Sequence, residues 1–300
     1  YSWNGSAWSQ LGADIDGEAA NDRSGHSVSL SADGQTVAIG ARGNDGNGSS
    51  SGHVRIYSWN GSSWSQLRAD IDGEAVNDLS GHSVSLSADG QIVAIGAYLN
   101  DNVNGTNSGH VRVFSLNGNI IVDTPDPEPE TPEPETPEPE TPEPETPEPA
   151  PTPNPEWIQV GRDIYGEAVD DYSGWSVSLS DDGQTVAIGA ILNDGNGINS
   201  GHVRVYSWNG SGWSKLGADI DGESIQDQSG WSVSLSADGE TVAIGATGND
   251  GGGSLSGHVR VYSWNGSAWS QLGADIDGEA ANDRSGHSVS LSADGQTVAI

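Results

Sequence analysis

The sequence predicts an all-β protein, a β-propeller built of four-stranded antiparallel blades on a repeat of about 56 residues, and three observations carry this. The stretch Ser24 to Ala41, SGHSVSLSADGQTVAIGA, recurs with small changes from Ser80, Ser173, Ser229 and Ser285. Trp8 to Trp64, Trp157 to Trp213 and Trp213 to Trp269 are each 56 residues apart, and His53 to His110 is 57. No segment has helical periodicity, whereas the recurring stretch alternates apolar and small polar residues about an Asp-Gly turn. A four-stranded unit repeated at this length is a blade pattern, and two-layer sandwiches do not repeat in sequence.

Within the unit, Val28 and Leu30 alternate with Ser27, Ser29 and Ser31, which gives strand a (Ser27 to Ser31). After the turn at Asp33-Gly34, Val37 and Ile39 alternate with Thr36, Ala38 and Gly40 in strand b (Thr36 to Ala41). A second hairpin follows: strand c (His53 to Trp59), a turn at Asn60-Gly61 of expected type I′, and strand d (Trp64 to Ile71). One face of strands a and b is large and the other small, so successive blades can pack large against small near a narrow hub.

Between Asp123 and Glu156 the pattern gives way to a Pro/Glu-rich linker that contains all 14 prolines. Such a segment lacks core residues and predicts a solvated, polyproline-like spacer spanning up to about 90 Å at ~3.1 Å per residue, with a recognition site for Pro-binding modules as the alternative. The expected organisation is blades in 1–122, a disordered spacer in 123–156 and blades in 157–300. The second blade lacks a Trp strand before the spacer, and Trp157 to Ile164 supplies one after it. We expect the spacer to separate two propellers; the alternative is one propeller in which the spacer is an enlarged c–d loop, which could close as five blades with Ser285 to Ile300 completed by Tyr1 to Ile15. There is no Met, both termini lie inside a unit, and Tyr1 to Ile39 is identical to Tyr262 to Ile300. That pattern predicts a fragment of a longer tandem array.

With 43 acidic and 10 basic side chains the formal charge is −33, which disfavours nucleic acid and anionic lipid surfaces as partners. No apolar run reaches the ~18 residues of a membrane span. The absence of Cys excludes disulfides, thiolate metal sites and cysteine nucleophiles, in keeping with a secreted or surface protein whose signal peptide would lie upstream.

Ser-Gly before strand a, the Asp-Gly turn and the AIGA ending of strand b resemble the FG-GAP repeat of bacterial surface proteins and integrin α-subunit propellers. Here Ser24, Ser80, Ser173, Ser229 and Ser285 stand for the leading Phe, and Arg42, Tyr98, Ile191 and Thr247 for the closing Pro. The resemblance implies an extracellular binding or adhesion propeller. Its calcium loops lie between strands a and b, where this sequence has only Ser31-Ala32-Asp33-Gly34, so those ligands do not carry over.

Candidate chemistry concentrates in the two long loops, d-to-a and b-to-c, which alternation of strand direction sends to one face. The d-to-a pattern D-I-D-G-E-x-x-x-D repeats as Asp14, Asp16, Glu18, Asp22; Asp70, Asp72, Glu74, Asp78; Asp219, Asp221, Glu223, Asp227; and Asp275, Asp277, Glu279, Asp283. Such carboxylates are candidate calcium ligands, since calcium takes six to eight oxygens; the competing reading is turn formation and capping of loop amides. Asp45, Asp78, Asp101, Asp194, Asp227 and Asp250 are the candidate ligand contacts of this face.

His53, His110, His202 and His258 start strand c. His26, His82 and His287 start strand a, where Trp175 and Trp231 substitute. A repeat-wide catalytic or metal site would not tolerate that exchange, so packing or hydrogen bonding is expected at both positions. Tyr57/Trp59, Tyr206/Trp208 and Tyr262/Trp264, with Trp64, Trp213 and Trp269 across the turn, read as cross-strand pairs covering the blade edge; sugar stacking is the alternative. Asn4, Asn60, Asn209 and Asn265 fit glycosylation acceptors as well as turns. The functional expectation is a non-enzymatic adhesion module for a protein or glycan at a cell surface. A positioning propeller of a larger secreted enzyme and a ligand-free stalk are the rivals.

Overall fold

Each repeat forms one sheet whose strands follow chain order. In the computed structural model, which describes residues 1–117 and 156–300, Ser24–Leu30, Thr36–Ala41, His53–Trp59 and Trp64–Gln66 form the first complete antiparallel blade. The second is Ser83–Leu86, Ile92–Ala97, His110–Leu116 and Trp157–Gln159. Ser173–Leu179, Thr185–Ala190, His202–Trp208 and Trp213–Lys215 make the third. The fourth is Ser229–Leu235, Thr241–Ala246, His258–Trp264 and Trp269–Gln271.

Strand d is not continuous to Ile71 as expected. Tyr57 pairs with Gln66 and Val54 with Ile71, so the outer strand spends two more residues than its partner and splits into Trp64–Gln66 and Ile71–Asp72. The excess is absorbed in left-handed backbone, at Arg68 with φ 75° and at Gly161 and Gly217 with φ 73° and 78°. The Asn60 turn also departs from type I′, which needs positive φ at both central residues. Gly61 has it, Asn60 does not; the Asn60 side chain instead accepts from the Ser62 and Ser63 amides at 3.0 and 2.9 Å.

The boundary expected at the spacer is corrected by the pairing. Phe114 faces Gln159 and Leu116 faces Trp157 in one antiparallel ladder, and the Trp157 indole donates to the Leu67 carbonyl of the first blade at 3.1 Å. A strand c left bare before the spacer would present unpaired amides and carbonyls, and the Trp strand beyond it covers them. The described sheets therefore run as one continuous row across the spacer, most of which, 123–155, lies outside the described residues. Among the described residues closure into five blades is not formed either: Ser2–Trp3 pairs with Trp8–Ser9, and Ser290–Leu291 with Val298–Ala299.

The core lies between successive blades. Ala38, Val54 and Ile56 of the first pack against Val84, Leu86, Val93 and Ile95 of the second, and the same scheme repeats twice more. Burial contributes roughly 1.5–3 kcal/mol for each such Val, Leu or Ile. Strand b approaches the next blade so closely that a Cβ at Gly40, Gly96, Gly189 or Gly245 would collide with the carbonyl of Gly81, Gly174, Gly230 or Gly286. Beside each contact a serine crosses over, as when Ser27 Oγ donates to the Gly81 carbonyl at 2.8 Å. Val28 and Leu30, with no sheet against them, are 64% and 58% exposed, whereas their counterparts Val84 and Leu86 fall to 8% and 7%.

Candidate functional site

The two long loops of each unit meet on one face and bind each other. Asn47 Nδ2 donates to the Gly73 carbonyl at 2.8 Å, and the Asn77 and Ser80 amides donate to Ser49 and Ser51. A buried carboxylate braces each pair: Asp78 accepts from the Ala75 amide and from Asn100 Nδ2, both at 3.0 Å. Asp22, Asp171 and Asp227 repeat this arrangement. At 2% exposure Asp78 and Asp227 are internal struts, not the surface contacts expected of them. Asp45, Asp101, Asp194 and Asp250 are exposed, each with one oxygen held by an amide of its own loop at 2.7 or 2.8 Å.

The Asp-x-Asp carboxylates are held by different partners, although in the third unit Asp219 and Asp221 both approach His202, Asp221 Oδ1 lying 4.0 Å from its Nδ1. Asp14, Asp70 and Asp275 each accept from a glutamine four residues earlier, and Asp219 accepts from Lys215 at 2.7 Å. The backbone carbonyls of Asp16, Asp72 and Asp221 accept from Arg55, Arg112 and Arg260 of the following blade. Beyond the first carboxylate the pattern parts company: Asp72 and Asp277 lie beside Gly46 and Gly251 of the b-to-c loop, and Asp283 caps Ala280 at 2.8 Å.

What does converge is a set the loop motif does not suggest. Glu18, His53 and Asp70 meet at the seam between blades, as do Glu74, His110 and Asp163; Glu167, His202 and Asp219; and Glu223, His258 and Asp275. In each, the three ligand atoms lie within 4.8 Å of one another. The glutamate comes from the loop leaving one blade, the histidine from strand c of the next, and the aspartate from the break between the two halves of that blade's strand d. His110 is 1% exposed, and its Nδ1 sits 3.6 Å from Asp163 and 3.8 Å from Glu74. Nearness to His110, with the Gln159 amide helping, holds the Asp163 carboxyl down to about 2. Burial pushes His202 down to about 4, Arg204 adding to the effect and Asp219 opposing it. Burial likewise pushes Glu223 up, opposed by Arg260.

The signal for these clusters was in the repeat. His, Glu and Asp occupy their positions in all four, even where Tyr165 replaces the second Asp of the loop. Pooling strand-c with strand-a histidines hid it, because only strand a exchanges His for Trp. The strand-a rings form a separate row running from blade to blade: His26, His82, Trp175, Trp231 and His287, with successive centroids 4.9, 4.6, 5.1 and 5.4 Å apart. The outer aromatics are cross-strand pairs, Trp59 with Trp64 at 5.4 Å. They also seal the seam, Trp64 donating to the Leu11 carbonyl at 3.1 Å.

Three segments, 14–57, 66–114 and 166–206, match the FG-GAP repeat family model. The chain is a β-propeller whose repeats are similar to the FG-GAP repeat. The propeller's fold is similar to that of the periplasmic gluconolactonase PpgL of Pseudomonas aeruginosa, with TM-score 0.52, 17% identity, and 91% of this chain and 63% of that one covered. Hydrazine synthase of Kuenenia stuttgartiensis also matches the chain, with TM-score 0.49, 12% identity, and 97% and 58% covered. This chain thus spans less than two thirds of either neighbour, and at 17% identity the likeness to the gluconolactonase is one of fold. No curated protein matches the sequence.

Proposed function

We propose that this propeller is an extracellular binding or adhesion module that takes a protein partner at a cell surface on its long-loop face. The observation behind the reading is the distribution of exposed apolar side chains. Val76, Val103, Val169, Ile198 and Ile225 are 55–85% exposed, and all five belong to the long loops. Val76, Val169 and Ile225 lie against Gly48, Gly105 and Gly197, where a Cβ would collide with them. Apolar tips held on interlocked loops, among the carboxylates of Asp45, Asp101, Asp194 and Asp250, favour a surface that offers aliphatic and basic groups.

A glycan partner is the alternative, and calcium has no part in the proposal because the loop carboxylates are held by different partners. The test is the purified protein on arrays of extracellular proteins and of glycans, followed by Val76→Ser/Val169→Ser/Ile225→Ser. The expected result is a protein partner whose affinity drops at least about tenfold in the triple variant, while Ser62→Lys on the tight-turn face leaves it unchanged. The opposite ranking of the two variants refutes the face, and a glycan hit refutes the partner class.

A further inference from the structure

The seam clusters are not explained by loop bracing, and the proposal above makes no use of them. Three features set them apart from ordinary ion pairs. The first is spacing. His53 Nδ1 lies 3.5 Å from Asp70 and 3.8 Å from Glu18, His110 Nδ1 lies 3.6 and 3.8 Å from its two carboxylates, His258 Nδ1 lies 3.8 Å from Asp275, and His202 Nδ1 lies 4.0 Å from Asp221, beside its cluster's Asp219. These gaps are too long for hydrogen bonds, yet they approach the ~3.4 Å that separates donors around a tetrahedral cation bound at about 2.1 Å.

The second feature is the unmet capacity of the imidazoles. His110 and His258 are 1% exposed with neither ring nitrogen hydrogen-bonded, and Nε2 of His202 is also without a partner. Buried polar groups normally find one. Each unpaired Nδ1 faces carboxylates, and neutral imidazole nitrogen is a transition-metal donor.

The third feature is orientation of the carboxylates from behind. Asp163 uses Oδ1 to accept from Gln159 at 2.6 Å and turns Oδ2 to the histidine. Glu74 sets Oε1 3.7 Å from Arg112 and turns Oε2 to the same ring. Asp70 and Glu18 repeat the division in the preceding seam. Outer partners that fix one oxygen and present the other are how ligand carboxylates are aimed. Clefts of about 630 and 500 Å³ border Asp70 and Asp163, and the glutamates, 41–46% exposed, leave each cluster open to solvent.

We propose that the four clusters Glu18–His53–Asp70, Glu74–His110–Asp163, Glu167–His202–Asp219 and Glu223–His258–Asp275 each bind one divalent transition-metal ion of the zinc class. One imidazole and two carboxylates make a mixed nitrogen and oxygen set that suits zinc, and they fall short of the six to eight oxygens calcium takes. Because the glutamate belongs to the loop leaving the preceding blade, the ion clamps neighbouring blades together. In the second blade it also joins Asp163, beyond the spacer, to Glu74 and His110 before it.

The experiment is calorimetric titration of the chelator-treated full chain with zinc chloride, and with calcium chloride at matched ionic strength. Absorption of the cobalt-loaded protein gives an independent readout of coordination. The expected stoichiometry is four zinc ions per chain, with far weaker calcium binding. Asp163→Asn should remove one equivalent. Glu18→Gln/Glu74→Gln/Glu167→Gln/Glu223→Gln, at side chains that are 41–46% exposed, should keep the circular dichroism of the parent. Its affinity should fall by at least the about 10–100-fold that loss of an outer partner alone costs. The proposal is overturned by no zinc binding, by zinc binding that both variants leave unchanged, or by calcium binding as tightly as zinc.

Discussion

His53, His110, His202 and His258 start strand c; His26, His82 and His287, with Trp175 and Trp231, fill one position at the start of strand a. Both rows repeat once per blade, and only the second tolerates exchange. The strand-a position asks for a flat ring. Where blades converge, one ring packs on the next, and indole serves this as well as imidazole. The strand-c position asks for nitrogen: each ring is 1% exposed and faces carboxylates from two blades, which an apolar ring could not answer. A residue repeated in every blade is therefore not architectural by default. What its neighbours need from it decides.

The largest effect expected concerns the convergence that stacks the inner row. Gly189→Ala would drive a methyl into the Gly230 carbonyl of the next blade and should cost about 3 kcal/mol in urea unfolding. Gly210→Ala, at an outer turn where no atom lies within 4 Å of the added carbon and φ is 89°, should cost only the ~1–2 kcal/mol of left-handed backbone. Equal losses would mean that the inner strands are not packed as tightly as the ring row implies.

A smaller effect reads the burial of the inner row by pH. Burial, with His26 and Arg42 adding to it, pushes His82 down to about 3, against about 6.5 in the unfolded chain. Between those values the folded state binds fewer protons than the unfolded one. Its stability should therefore fall as pH drops from about 6.5 toward 3, by up to about 1.4 kcal/mol per pH unit from this group. His82→Trp, the ring of the third and fourth blades, should remove that slope and change neutral-pH stability by less than about 1 kcal/mol. Parallel pH curves for the two proteins would contradict a buried neutral imidazole in the inner row.

Much of this architecture was legible in the sequence, because a hairpin is a local object. Period two about Asp33-Gly34 and Asn60-Gly61, repeated at Trp spacing, located strands a, b and c to within a few residues. The break in strand d was not legible, since it follows from register against strand c. The partner of His110–Leu116 was readable only as an alternative, because a Trp strand on the far side of 34 Pro/Glu-rich residues pairs by geometry that no local pattern records. The same holds for the seam clusters. Asp70, Asp72 and Glu74 stand together in the chain and suggest one loop site, yet Asp70 serves the histidine of its own blade and Glu74 that of the next. A motif whose members answer to different blades looks like a local site until the seam is assembled.

The contrast between the two rows is tested most directly by imidazole nitrogen NMR on ¹⁵N-histidine-labelled protein during a zinc titration. The account predicts that the Nδ1 resonances of His53, His110, His202 and His258 shift with added metal while those of His26, His82 and His287 stay in place. Shifts at the exposed His26 and His287 alone, with the four buried strand-c rings unmoved, would contradict it.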